Sequence, residues 1–163
     1  MKTIILFRHG KSDWNADYGR DHERPLAPRG VKAAGAMGKW LQATGQIPDH
    51  HVSSSAVRAR TTLKLAKEAG NWGGETHIVD ALYEASVADY VDVARQTPAS
   101  ANSVIITGHE PTCSGTTRVL SGGAIVRFPT ATMARIDVDI ESWQDLGRYP
   151  GQLIWFMPPK FLG

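Results

Sequence analysis

The chain opens on a short apolar, β-branched run, Lys2-Thr-Ile-Ile-Leu-Phe7, the pattern of a strand buried on both faces. It stops at Arg8-His9-Gly10. Residues 11 to 28 are polar and contain Gly19, Pro25 and Pro28, so they predict a long loop. A loop of that length in a small domain is usually functional or disordered. From Pro28-Arg29-Gly30 the spacing turns helical, with Val31, Ala34, Met37, Gly38 and Leu41 on one stripe and Gly45 as a C-cap. His51 to Ser55 is a weak strand, Ala56 to Ala69 a helix ended by Gly70, and Thr76 to Val79 a short strand. Ser86-Val-Ala-Asp89 has capping-box-like spacing and starts a helix to about Gln96, where Thr97 precedes Pro98. Ser103 to Thr107 is a second buried strand, ending at Gly108-His109. Pro111 suits the first turn of a helix reaching about Leu120. Thr132 to Ile140 alternates, with Met133, Arg135, Asp137 and Asp139 opposite Ala134, Ile136, Val138 and Ile140, and predicts a half-buried strand. Leu153 to Met157 is a last strand, stopped by Pro158-Pro159.

Strand and helix alternate through the first two thirds, which predicts an α/β fold with a mostly parallel central sheet and helices on both faces. The strand-rich final third adds antiparallel strands. The 163 residues are the size of one domain, spanning 1–163, with a core large enough to need no cross-links. The single cysteine, Cys113, rules out an internal disulfide. The longest early apolar run is too short for a signal peptide or a membrane helix, so a cytoplasmic location is the default expectation. The net charge is +2, but it is unevenly spread. Residues 1 to 67 hold 12 of the 18 Lys and Arg and only 5 of the 16 acids. Such a split fits either an anion site or a solvated basic face.

The chemistry gathers at predicted strand ends. Two buried strands finish in a histidine, His9 and His109, and ligands of open α/β sheets bind beyond the carboxyl ends of strands. The weak strand at 51 to 55 leads into Ala56-Val57-Arg58, placing Arg58 in the first turn of a helix whose free N–H groups face the same edge. Two arginine forks, Arg8 and Arg58, with two histidines make a pocket for a tetrahedral oxyanion such as phosphate. Arg60, Lys64 and Lys67 read as a solvated helix face. So do Arg20, Arg24 and Arg29, as charge that either steers an anion or solvates the surface.

Arg8-His9-Gly10-Lys11-Ser12-Asp13-Trp14-Asn15 resembles the Arg-His-Gly signature of the histidine phosphatase (phosphoglycerate mutase-like) superfamily. Ser54-Ser55-Ala56-Val57-Arg58-Ala59-Arg60-Thr61-Thr62 is similar to its Ser-Pro-x-x-Arg-Ala-x-Gln-Thr motif, with Ser55 for Pro and Thr61 for Gln. Gly108-His109-Glu110-Pro111 resembles its Gly-His-x-Pro element. The short length, the Asp21-to-Leu26 loop and the Phe128-to-Lys160 tail are similar to the small SixA-like phosphohistidine phosphatases. The resemblance implies a three-layer phosphoglycerate mutase-like fold and a phosphatase without metal or other cofactor. His9 would be the nucleophile, forming a covalent phosphohistidine. Arg8 and Arg58 would clamp the phosphoryl oxygens and His109 would add a donor. Ser12 and Asn15 are pocket candidates that could instead hold the loop. Glu84 falls where relatives often supply a general acid, Glu110 is a second candidate, and an imidazole leaving group could dispense with either.

Only 50 residues separate Arg58 from His109, and the predicted elements use them all. That leaves no room for a sizeable cap, which suits a phosphorylated protein or a small phosphoester and suits a mutase poorly. Competing signatures fail on spacing. Cys113 and Arg118 enclose four residues where a cysteine phosphatase needs five. Gly10-Lys11-Ser12 lacks the upstream glycine of a P-loop, position 5 being Ile. His50-His51 looks like an exposed pair without metal-ligand partners, and His22 and His77 like surface residues. A broad small-molecule phosphomonoesterase and a non-catalytic phosphoprotein-binding module stay open as alternatives. The chain is expected to act as a monomer, with no nucleic-acid or membrane partner.

Overall fold

The computed structural model describes residues 1–163. One six-stranded sheet is formed by β1 (Lys2–Arg8), β2 (His50–Ser54), β3 (Thr76–Val79), β4 (Ser103–Gly108), β5 (Met133–Val138) and β6 (Gln152–Met157). The helices are α1 (Pro28–Ala43), α2 (Val57–Gly70), α3 (Val87–Arg95) and α4 (Thr112–Leu120). The strand order is β3-β2-β4-β1-β5-β6. The first four of these run parallel, and β5 and β6 join antiparallel. The mostly parallel α/β prediction therefore matches the sheet.

The unbroken apolar run of β1 has a direct cause. Ile4 and Leu6 enter the core under α3 and α4, whereas Ile5 and Phe7 enter the core under α1 and α2. Both faces are covered from Ile4 to Phe7, so none of those four positions is polar. On the α1–α2 side the helices cross closely: a Cβ on Gly38 would lie 1.9 Å from the Ala66 carbonyl oxygen, so only glycine fits. Ser86 caps α3 by accepting from the Asp89 N–H at 3.2 Å, in the capping box that its spacing suggests.

Three details differ from the sequence pattern. Helix α2 is ended by Asn71 in the left-handed conformation (φ 55°), with Gly70 as its last residue. In β5, Met133 is buried on the face that reads as polar, because β5 lies inside the sheet. Arg135 and Asp137 on that face pair with each other at 2.9 Å. His51 is buried, not exposed, because β2 lies between β3 and β4, and its Nε2 donates to the Pro48 carbonyl at 2.7 Å. No helix is long and apolar enough to cross a membrane.

Candidate active site

The parallel strands β1, β2 and β4 end at one edge of the sheet, and a pocket of about 310 Å³ opens there. Arg8, His9, Arg58 and His109 all line it, with Ser12, Glu84 and Glu110. Arg8 is the last residue of β1 and His9 the next. The two histidine rings lie 5.3 Å apart between centroids. Gly108 lacks a side chain for a local reason: a Cβ there would lie 2.0 Å from the Tyr90 hydroxyl. The buried Tyr90 can therefore accept from the His109 N–H at 2.9 Å, which fixes where β4 releases its histidine.

One contact fixes the tautomer of His9. Its Nδ1 lies 2.7 Å from the Gly10 carbonyl oxygen. A carbonyl can only accept, so Nδ1 carries the proton and Nε2 keeps its lone pair. Burial lowers the His9 pKa to about 3, aided by the positive charges nearby and opposed by the Gly10 contact. Burial, with Arg58 next, likewise lowers His109 to about 4. Ser54, fully buried at the end of β2, meets His109 Nε2 at 2.8 Å and accepts from the Ala56 N–H at 3.3 Å. Donating its own proton to Nε2 satisfies that hydroxyl and leaves His109 Nδ1 as an N–H donor.

These shifts carry a stability consequence. Both histidines protonate near pH 6.5 when unfolded and only well below that when folded. Stability is therefore full above pH 6.5 and falls as pH drops towards 4, by about 1.4 kcal/mol per pH unit for each group. Thermal melts from pH 7 to pH 4.5 should show this slope, and His9→Gln should make it shallower. An unchanged slope would contradict the buried neutral state.

The two arginines are buried at their Nε atoms, and neither Nε has a hydrogen-bond partner. A buried donor of this kind is costly unless an acceptor takes it. Arg8 also donates to the Phe128 carbonyl at 2.8 Å, which fixes its guanidinium. Arg58 donates to the Asp21 carbonyl at 2.8 Å and to its carboxylate at 3.0 Å.

Asp21, Arg24 and Tyr83 line the pocket without having been legible as site residues. The long loop delivers the first two. It is pinched at its neck by the Ser12–Leu26 bridge and by Asp13 N–H donating to the Pro25 carbonyl at 2.8 Å. Arg24, read from sequence as surface charge, is buried at 5% exposure. An unpaired charge there would cost several kcal/mol. It is held by the Asp21 carboxylate, by Ser12 Oγ at 2.9 Å, and by the Trp14 ring 3.6 Å from its guanidinium carbon. The hydrogen bond from Tyr83, then those from Arg58 and Arg24, lower the Asp21 pKa to about 2, so Asp21 is a fixed negative charge. Burial and that same bond raise Tyr83 to about 12. The signal that could have found these residues was the length of a charged loop next to the histidine signature.

The remaining candidates separate clearly. Ser12 lines the pocket, but its hydroxyl is taken by Arg24. Asn15 is exposed on the loop and does not line the pocket, its N–H bonding the Asp13 carboxylate at 2.9 Å. Among the acids, Glu110 accepts from the Ser114 N–H at 2.6 Å and is committed to the start of α4. Glu84 is exposed on the pocket wall with a left-handed backbone (φ 53°), a conformation that costs a non-glycine residue about 1–2 kcal/mol. Ser55, where the motif has Pro, receives His22 Nε2 at 2.8 Å and anchors the loop; His22 is accordingly half-buried rather than a free surface residue.

Known proteins are similar to this chain in sequence and fold. The Mycobacterium tuberculosis protein Rv1276c, which is uncharacterized, is 30% identical over 94% of this chain and 99% of its own. The structure of a candidate phosphohistidine phosphatase SixA from Nakamurella multipartitia superposes with a TM-score of 0.81 at 29% identity, covering 97% of this chain and 96% of that one. A second candidate SixA, from Agrobacterium tumefaciens, gives 0.82 at 27% identity over 97% and 98%. The family model "Histidine phosphatase superfamily (branch 1)" matches residues 4–122, the segment that contains all three motifs. With its phosphoglycerate mutase-like fold, the chain belongs to branch 1 of the histidine phosphatase superfamily.

Proposed function

We propose that the protein is a phosphatase that works through His9 without a metal and takes its phosphoryl group from phosphohistidine in a protein. The observation that carries this reading is a neutral, buried imidazole with a free Nε2 in one pocket with Arg8 and Arg58. Nε2 attacks phosphorus and forms an N–P bond while the bond to the leaving group breaks. Arg8, Arg58 and the His109 N–H hold the oxygens as charge redistributes. Water then attacks the phosphoenzyme, releasing phosphate and restoring His9.

The acids support the choice of substrate. Asp21 stays ionised, Glu110 is committed to α4, and Glu84 is exposed. None is a buried acid ready to protonate an alkoxide, whereas an imidazole leaves without that help. The mouth supports a large substrate, since only residues 80–86 lie between β3 and α3, too few for an inserted cap on that side of the pocket. The presence of Glu84 on the wall favours a second reading, a phosphomonoesterase for small alkyl esters.

A substrate panel in EDTA separates these readings. Phosphohistidine peptide should be cleaved with the highest kcat/KM. On the second reading Glu84→Gln should lower alkyl phosphate turnover about 100-fold; on the first it should leave both alkyl phosphate and phosphohistidine turnover nearly unchanged. Preference for alkyl esters would move the assignment to the second reading, and binding without release from any substrate would point to a module.

A further inference from the structure

A second groove, of about 420 Å³, lies between α1 and the C-terminal turn Pro159–Leu162. Thr130 lines both this groove and the catalytic pocket, so the two are neighbours. The groove carries three exposed cations, Arg29 and Lys32 from α1 and Lys160 from the turn, and no Asp or Glu side chain. No carboxylate, that of the terminal Gly163 included, comes within 4.0 Å of any of the three. The rest of its lining is largely apolar and includes Pro129, Pro158 and Pro159.

The contrast with the other basic groove, beside α2 and β3, is informative. There Lys64 faces Glu68 at 4.0 Å, and Lys67 donates to the Gly74 carbonyl at 2.9 Å and to Thr76 at 2.8 Å. Those two lysines have partners within the chain, whereas Arg60 beside them makes no ion pair. Arg29, Lys32 and Lys160 make no ion pair, Lys160 Nζ lying only over the Phe161 ring at 5.2 Å, and their groove neighbours the catalytic pocket at Thr130.

We propose that the Arg29–Lys32–Lys160 groove docks an acidic segment of the phosphorylated protein and so selects which phosphohistidines reach His9. The inference rests on the protein-phosphatase reading above and adds the chemistry of the partner. Cations at the rim of a contact steer an anionic partner and raise its association rate, more strongly at low salt.

The test uses two synthetic peptides, each with one phosphohistidine, flanked by Glu in one and by Lys in the other. The wild-type protein should favour the acidic peptide by about tenfold or more in kcat/KM at low ionic strength, with the ratio shrinking as salt rises. R29E/K32E/K160E should reverse that preference, while aryl phosphate turnover stays within about twofold, because these exposed side chains lie outside the catalytic pocket. Equal turnover of both peptides by the wild type, or an acidic preference that survives the triple reversal, overturns the docking proposal alone. Aryl phosphate turnover with no release from either peptide overturns the protein-phosphatase reading and the docking with it.

Discussion

Replacing His9 by alanine is expected to abolish phosphate release, lowering kcat by at least about 10⁴-fold, the scale on which removal of a nucleophile acts. His109 cannot stand in, because its Nε2 is engaged by Ser54. Cys113 cannot either, since it is fully buried in α4 and burial pushes its thiol pKa far up. Wild-type protein mixed with ³²P-labelled substrate and quenched in alkali should carry an alkali-stable, acid-labile label, the behaviour of a phosphoramidate. The His9→Ala protein should carry none, yet should still bind inorganic phosphate through the arginines. Release that survives His9→Ala would end the proposed mechanism.

The second large effect is expected at Arg58. Its loss removes a buried guanidinium that no neighbour replaces, and kcat/KM should fall about 10³-fold, as when other transition-state donors are deleted. Arg58→Lys should recover little, because a point charge cannot reproduce a planar fork shared between Asp21 and an incoming oxygen. Part of the loss has a separate origin. Without Arg58, the Asp21 carboxylate keeps its charge and repels the phosphoryl group. R58A/D21N should therefore be more active than R58A, so that the two changes are non-additive. A drop under tenfold for Arg58→Ala would remove this residue from the proposed clamp.

Much of this site was legible because its residues sit where periodicity breaks. His9 and His109 follow apolar runs whose register is dictated by two covered faces, and Arg58 follows the start of a helical stripe. Asp21, Arg24 and Tyr83 were not legible, since nothing periodic places a loop residue. Their positions come from the neck at Ser12 and Leu26 and from contacts with residues distant in sequence, such as Asp21 with Arg58. Asn15 misleads for the same reason: it follows the histidine signature in sequence, but the loop turns it outward. His51 misleads differently, because a weak strand gives no sign of whether it lies inside or at the edge of a sheet.

The Gly10 carbonyl has a further consequence, for the departure of His9 from phosphorus. While Nδ1 remains protonated, the phosphorylated ring is a cation, and it can leave as neutral imidazole rather than as the poor imidazolate anion. In the proposed mechanism, the contact that selects Nε2 for attack would also make His9 easy to expel. In the proposed reaction the hydrolytic half would need no acid from the protein. A missing or exposed carboxyl would slow only the first half, and only for substrates whose own leaving group needs a proton.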